Sequence, residues 1–244
     1  MSLPSNKSRS SSRKIVFELC AQQLEACLAA RPGGADRVEI CSRLDVGGLT
    51  PSPELVEAAV QQSGLPVHML LRPTAETFVV SPESERAIRA GISHARDLGV
   101  AGVVLGLLRP DHTVPGELLG ELVEMADGLE VTFHRAIDEV PDQSEALEAV
   151  IASGCHRVLT SGGKPEVSGG ARNIAALVQQ AGPRIAVAVG GGLTLSNAAE
   201  VARITGASHF HGSMRSTLHS ANSMDQNIRT IIDTLARSQV DCVL

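Results

Sequence analysis

Two cysteines, Cys20 and Cys41, each close a short apolar run, IVFELC at 15–20 and DRVEIC at 36–41, and each stands two residues after a glutamate, Glu18 or Glu39. In an extended chain that spacing puts carboxyl and thiol on one face. Other ionisable groups recur in comparable runs: PVHMLL at 66–71 carries His68 and leads into Arg72, EVTFHR at 130–135 carries His134, and SHFHGS at 208–213 carries His209 and His211. Paired thiolates are soft ligands that favour Cu(I) over hard cations. A carboxylate can serve as general base, an imidazole as acid, and a guanidinium can hold developing charge. A further signal is Gly190, Gly191 and Gly192 followed by Thr194, together with Gly212 and Ser213. Small residues there would let backbone N–H groups approach an anion at a helix start.

What must position these groups is a regular alternation of short β-branched runs and longer amphipathic ones. Eight strands are expected, at 15–20, 36–41, 66–71, 102–107, 130–135, 157–161, 184–190 and 208–213. Helices are expected at 22–31, 53–63, 83–98, 116–127, 143–153, 170–181 and 195–204, with an extra one at about 224–237. Glycines precede four of the strands (Gly34, Gly64, Gly154, Gly206), where a helix C-terminus needs positive φ. Ser52, Asp142 and Thr194 stand where N-caps belong. Eight such units of even length, with no long insertion, predict an α/β fold closed as a (β/α)8 TIM barrel with an extra C-terminal helix; an open doubly wound sheet is the alternative. The barrel is assigned to residues 15–244 and a flexible, basic, Ser-rich tail to 1–14.

Apolar parity then marks the outer face of each strand. Ile15, Phe17, Leu19, Val38, Ile40, Val67, Met69, Leu71, Val131 and Phe133 should face the helices. Their complement, Glu18, Cys20, Arg37, Glu39, Cys41, His68, Arg72, Thr132, His134, His209, His211 and Ser213, should face inward. A barrel interior is ordinarily layered with Val, Ile and Leu. An ion-pair network that merely holds the barrel is the structural reading, since buried carboxylates are expensive unless paired. The functional reading is favoured for the groups at C-terminal strand ends, where barrel sites assemble.

Composition narrows the function classes. The chain of 244 residues has four Phe, no Trp and no Tyr, so the core is aliphatic and platforms for stacking bases are lacking. Net charge is −6, and residues 1–14 carry four positive charges and no acid, which leaves −10 on the remainder. That field disfavours phosphate backbones, so nucleic acid is not an expected partner. No apolar run approaches the ~18 residues that would span a bilayer, and the tail lacks the apolar stretch of a secretory signal. Five cysteines without CxxC spacing argue against a zinc ribbon, a thioredoxin-type site or a disulfide framework, and for a reducing, cytoplasmic setting.

The segments GADRVEIC at 34–41, GGLTPS at 47–52, Arg72–Pro73, TFHRAID at 132–138 and RVLTSGG at 157–163 closely resemble the CutC family, described as copper homeostasis proteins with a TIM-barrel fold. The likeness runs from Glu18 to about Thr217. It implies that Cys20 and Cys41 occupy the positions proposed to bind copper. Where family members often read RPRGGDF this chain has RPTAETF, so Thr74 replaces a second arginine and Ala75 and Glu76 replace glycines in a loop that could close over an anion.

Two functions follow. The first is Cu(I) binding or trafficking at the barrel mouth through Cys20 and Cys41, with His134 or His68 as a third ligand. The second is an isomerase, epimerase or lyase acting on a small phosphorylated or carboxylated metabolite. There Glu18 or Glu39 would be the base, His134 the acid and Arg72 the charge holder, with Gly191, Gly192, Gly212 and Ser213 binding the anion. Schiff-base chemistry is disfavoured, because Lys7 and Lys14 lie in the tail and Lys164 lies outside a strand end. No nucleotide cofactor is indicated. The expected partner is copper or a small anion, and a homo-oligomer is expected from the fold.

Overall fold

The computed structural model describes residues 15–215 and 222–240, so the expected tail and Cys242 lie outside the described residues. Eight strands form a closed barrel in sequence order, each pairing parallel to the next and β8 closing on β1. They are β1 Val16–Ala21, β2 Arg37–Ile40, β3 Val67–Leu70, β4 Gly102–Leu105, β5 Glu130–Phe133, β6 Arg157–Thr160, β7 Ala186–Val189 and β8 His209–Gly212. Between them run α1 Leu24–Gly33, α2 Pro53–Gln62, α3 Pro82–Asp97, α4 Gly116–Met125, α5 Gln143–Ala152, α6 Val167–Ala181 and α7 Ala198–Thr205, with α8 Met224–Val240 after the last strand. Closure excludes the open sheet. Short 3-10 turns at Leu44–Val46 and Arg135–Glu139, which periodicity does not announce, follow β2 and β5.

Local chemistry explains the boundaries. Ser52 accepts from the Leu55 amide at 3.4 Å, and Asp142 accepts from Ser144 and Glu145 at 2.9 and 3.1 Å, so both cap as expected. Thr194 does not cap α7. The helix begins four residues later, and the Thr194 amide instead donates to the Asn197 side chain at 2.8 Å, which folds 194–197 into a turn. Gly34 ends α1 at φ 89°, a conformation strained for any residue with a Cβ.

The apolar parity holds around the barrel. Phe17, Leu19, Val38, Ile40, Val67, Met69, Leu71, Val131, Phe133 and Phe210 all join the buried layer between strands and helices. A separate small apolar cluster lies inside, made of Cys20, Cys41, Leu70 and Val104. The remaining interior is polar. Among the described residues Leu28 is the large apolar side chain that stands exposed.

Candidate functional site

The interior divides into a base and a mouth. At the base, Arg157 is buried and donates to Glu18 at 3.4 Å, Thr132 at 3.2 Å and Glu130 at 3.1 Å. Arg37 adds a 2.8 Å bond to the same Glu130 oxygen. Strand register stacks these groups: Glu18 pairs with Arg37 across β1–β2, and Thr132 with Arg157 across β5–β6. His68 stands 3.7 Å from Glu130, and burial lowers its pKa, keeping it neutral.

Above the base, Glu18 meets His211 Nδ1 at 2.8 Å, with Glu39 Oε2 4.0 Å from the same nitrogen. Burial pushes the Glu18 carboxyl up, but the His211 hydrogen bond and charge outweigh it and the net shift is downward. Burial opposes a charge on His211, yet Glu39 and Glu18 together raise its pKa. Glu18 and His211 therefore form a charged pair. Glu39 is different: burial lifts it to about 7, and its Oε2 has no hydrogen-bond partner. Its other oxygen accepts from the Cys20 thiol at 3.5 Å, and Cys20 Sγ lies 3.7 Å from Cys41 Sγ. The Cys41 bond, burial and the nearby Glu39 charge all hold Cys20 well above an ordinary thiol. Cys20, Glu39 and His211 offer ligand atoms within 4.8 Å of one another. His68 and His134 are not part of that group. Cys27 and Cys155 are pushed by burial to about 11 and about 12, and remain inert thiols.

The mouth above this floor is a cavity of about 600 Å³. His134 follows β5 and is buried at its wall; its Nδ1 accepts from the Ala136 amide at 3.1 Å, which places the ring proton on Nε2. That Nε2 has no partner. Burial and the Arg72 charge depress the imidazole to about 3, so it is a neutral donor at all ordinary pH. Gly106 makes room for it, since a Cβ there would come within 2.4 Å of the ring carbon Cε1. Phe78 packs against His134 with ring centroids 4.9 Å apart and the rings tilted by 54°, and Arg72 Cζ lies 4.6 Å from the Phe78 centroid. Thus one of the few aromatics serves as a prop.

Of the remaining expected site residues, Glu18 lies beneath the floor with both oxygens engaged, and does not line the cavity. Arg72 lines it, but its terminal nitrogens are committed to the carbonyls of Val46, Gly48 and Ala75, so the altered RPTAETF loop folds back on its own arginine. Gly191, Gly192, Gly212 and Ser213 all line the cavity. Three residues outside the expected site set matter here. Arg135 lines the rim, fixed by Asp138 at 2.9 Å and Ser161 at 2.9 Å. Asp138 is the hub of that region, also accepting from Thr160 at 2.6 Å and from the Ser161 and Gly163 amides. Arg215 reaches the rim from beyond β8 and donates to the Leu44 carbonyl at 2.8 Å.

Comparison with known proteins gives consistent results. The CutC family model matches residues 15–216. A CutC family protein of Mesorhizobium japonicum is 45% identical over 196 residues, covering 80% of this chain and 76% of that relative. One from Caulobacter vibrioides is 39% identical over 216 residues, covering 88% of each. The crystal structure of CutC from Streptococcus agalactiae, whose given role in copper homeostasis is provisional, superposes with a TM-score of 0.76 at 32% identity, covering 82% of this chain and 98% of that one.

Proposed function

The chain belongs to the CutC family, and on that premise we propose that it binds Cu(I) as cargo at the floor of the barrel mouth, through Cys20 and Cys41 with Glu39 and His211 completing the donor set. The single observation that carries this reading is the convergence of two thiols 3.7 Å apart with a carboxyl and an imidazole inside one buried cluster. The donors suit the ion: two soft sulfurs and a borderline nitrogen favour Cu(I) over Ca²⁺ or Mg²⁺, which want oxygen. The unpartnered Glu39 Oε2 also fits, because a buried oxygen without a hydrogen bond gains most from a cation.

Cys20 faces the cavity and Cys41 sits behind it, so cargo enters and leaves by Cys20. Both sulfurs must lose a proton on loading, and His211 must give up one of its ring protons to offer a free nitrogen. A reducing, cytoplasmic environment would keep this pair available, and the described cysteines are all free thiols. The test is competition of the reduced protein against a Cu(I) chelator of known affinity. Cys20→Ser and Cys41→Ser should each weaken binding by more than about a hundredfold, beyond what loss of an outer-shell partner costs. Unchanged affinity in both variants removes the two-thiolate site.

A further inference from the structure

A copper ion occupies a small part of a 600 Å³ cavity, and the upper wall carries no soft ligand. It carries instead hydrogen-bond donors without acceptors. Arg135 uses Nε and Nη2 on Asp138, Ser161 and the Lys164 carbonyl, which leaves Nη1 without a partner among the described residues. The guanidinium lies directly against Gly191, where a Cβ would come within 2.9 Å of Cζ. Gly191 and Gly192 have φ of 99° and 77°, and neither amide donates to an acceptor among the described residues. Deeper in the same cavity stands the independent observation, the His134 Nε2–H, nine-tenths buried and unpartnered. Of these donors His134 is the buried one, and buried donors are nearly always satisfied, so its orphaned N–H marks the place of a ligand oxygen, with the more accessible Arg135 and glycine amides on the rim of the same cavity.

We propose that the upper mouth is a binding site for a small organic oxyanion, whose carboxylate or phosphate rests on Arg135 and the Gly191 and Gly192 amides while a carbonyl or hydroxyl oxygen accepts from His134 Nε2. Arg135 is presented as a rigid fork by Asp138, which is why the TFHRAID segment carries arginine and aspartate three residues apart. Arg215 adds positive charge from the far rim. Leu44, Leu70, Leu159 and Leu193 line the space between, which suits a short carbon skeleton better than a bare inorganic ion. Glu166 works against the anion, since its methylenes pack on Gly192 and its carboxylate forms no ion pair among the described residues. The polar groups lie outside the sulfur cluster, which the site shares only through Leu70 and Leu44, so the proposal stands apart from the copper reading.

The experiment is calorimetric titration of the reduced, metal-free full chain at constant ionic strength, with glycerol 3-phosphate in one arm, glycerate in a second and inorganic phosphate in a third. One or both organic anions should saturate a single site, and the arm that does so tells phosphate ester from carboxylate. Arg135→Gln should weaken binding about tenfold or more, and the exposed Arg215→Gln about threefold. Glu166→Gln should tighten it about twofold. Arg184→Gln, in a surface pair between the connection after α6 and Glu148 on α5, should change nothing. The proton resonance of His134 Nε2–H should move with the saturating organic anion and stay in place with inorganic phosphate. Failure of both organic anions to saturate, or equal affinity in wild type, Arg135→Gln and Arg215→Gln, overturns the proposal.

Discussion

The base and the mouth of this barrel draw on the same side-chain chemistry and use it in opposite ways. At the base, Arg157 spends its donors on Glu18, Thr132 and Glu130, and Arg37 shares Glu130. At the mouth, Glu39 and His134 each leave a buried polar atom unpaired, and Arg135 holds a nitrogen in reserve. The lesson is that ionisable residues inside a barrel do not by themselves announce a site. What distinguishes one is unfinished hydrogen bonding beside an open cavity, where a ligand can complete it. His68 and His209 also leave Nδ1 unpaired, but neither lines the cavity as His134 does.

If that division is right, the base answers to stability and the mouth to ligands. The largest effect is expected for Arg157→Met, which removes the buried guanidinium that ties Glu18, Thr132 and Glu130 together and should cost about 3–5 kcal/mol in urea unfolding while leaving Cu(I) affinity unaltered in the folded fraction. A fall in stability no greater than that of a surface substitution would break the distinction.

Next comes pH. Burial raises Glu39 from 4.5 to about 7, so between those values the folded chain keeps a proton that the unfolded chain has released. Its contribution therefore falls by roughly 3 kcal/mol as pH rises through that window, and Glu39→Gln should abolish the fall. His134 acts in the opposite sense. Lowered from 6.5 to about 3 by burial and Arg72, it makes the fold lose stability as pH drops through that range, while the unfolded chain takes up the proton. Its imidazole carbon resonances should not titrate between pH 5 and 8, and a midpoint near 6.5 would contradict the buried neutral donor.

A smaller effect is expected where the mouth is disturbed by shape alone. Gly106→Ala drives a methyl into the His134 ring and should cost about 1–3 kcal/mol, with displacement of the ring visible as a shift of its Nε2–H. Least of all, Asp142→Ala removes a helix cap outside both regions and should cost about 1 kcal/mol with no effect on ligands.

Much of this was legible in the chain. Strand parity alone gives the inward set, since period two is exact and a helix-facing Val or Phe fixes its neighbours. It reaches Arg157 as well, because Val158 faces out on β6, although the residue draws no notice in the run RVLTS. The partner of Glu18 was harder to find. Its pairing with His211 joins the first strand to the last, 193 residues apart, and exists only once the barrel closes. His134 and His68 are nearer in sequence to the cysteines, yet closure brings His211 to Cys20 and Glu39 instead. Arg135 escapes parity altogether, because β5 ends at Phe133 and a 3-10 turn re-aims the next residues. Thr194 misled for a similar reason, its side chain being drawn into a turn ahead of α7.

The central claim is that the two thiols at the mouth floor are ligands, while the ionised cluster beneath them is scaffold. X-ray absorption at the copper edge, recorded on the one-to-one Cu(I) complex of wild type and Cys20→Ser, addresses it directly. Two sulfur neighbours in wild type and one in the variant are the predicted result; a shell of nitrogen and oxygen alone, or a sulfur count unchanged by Cys20→Ser, would contradict it.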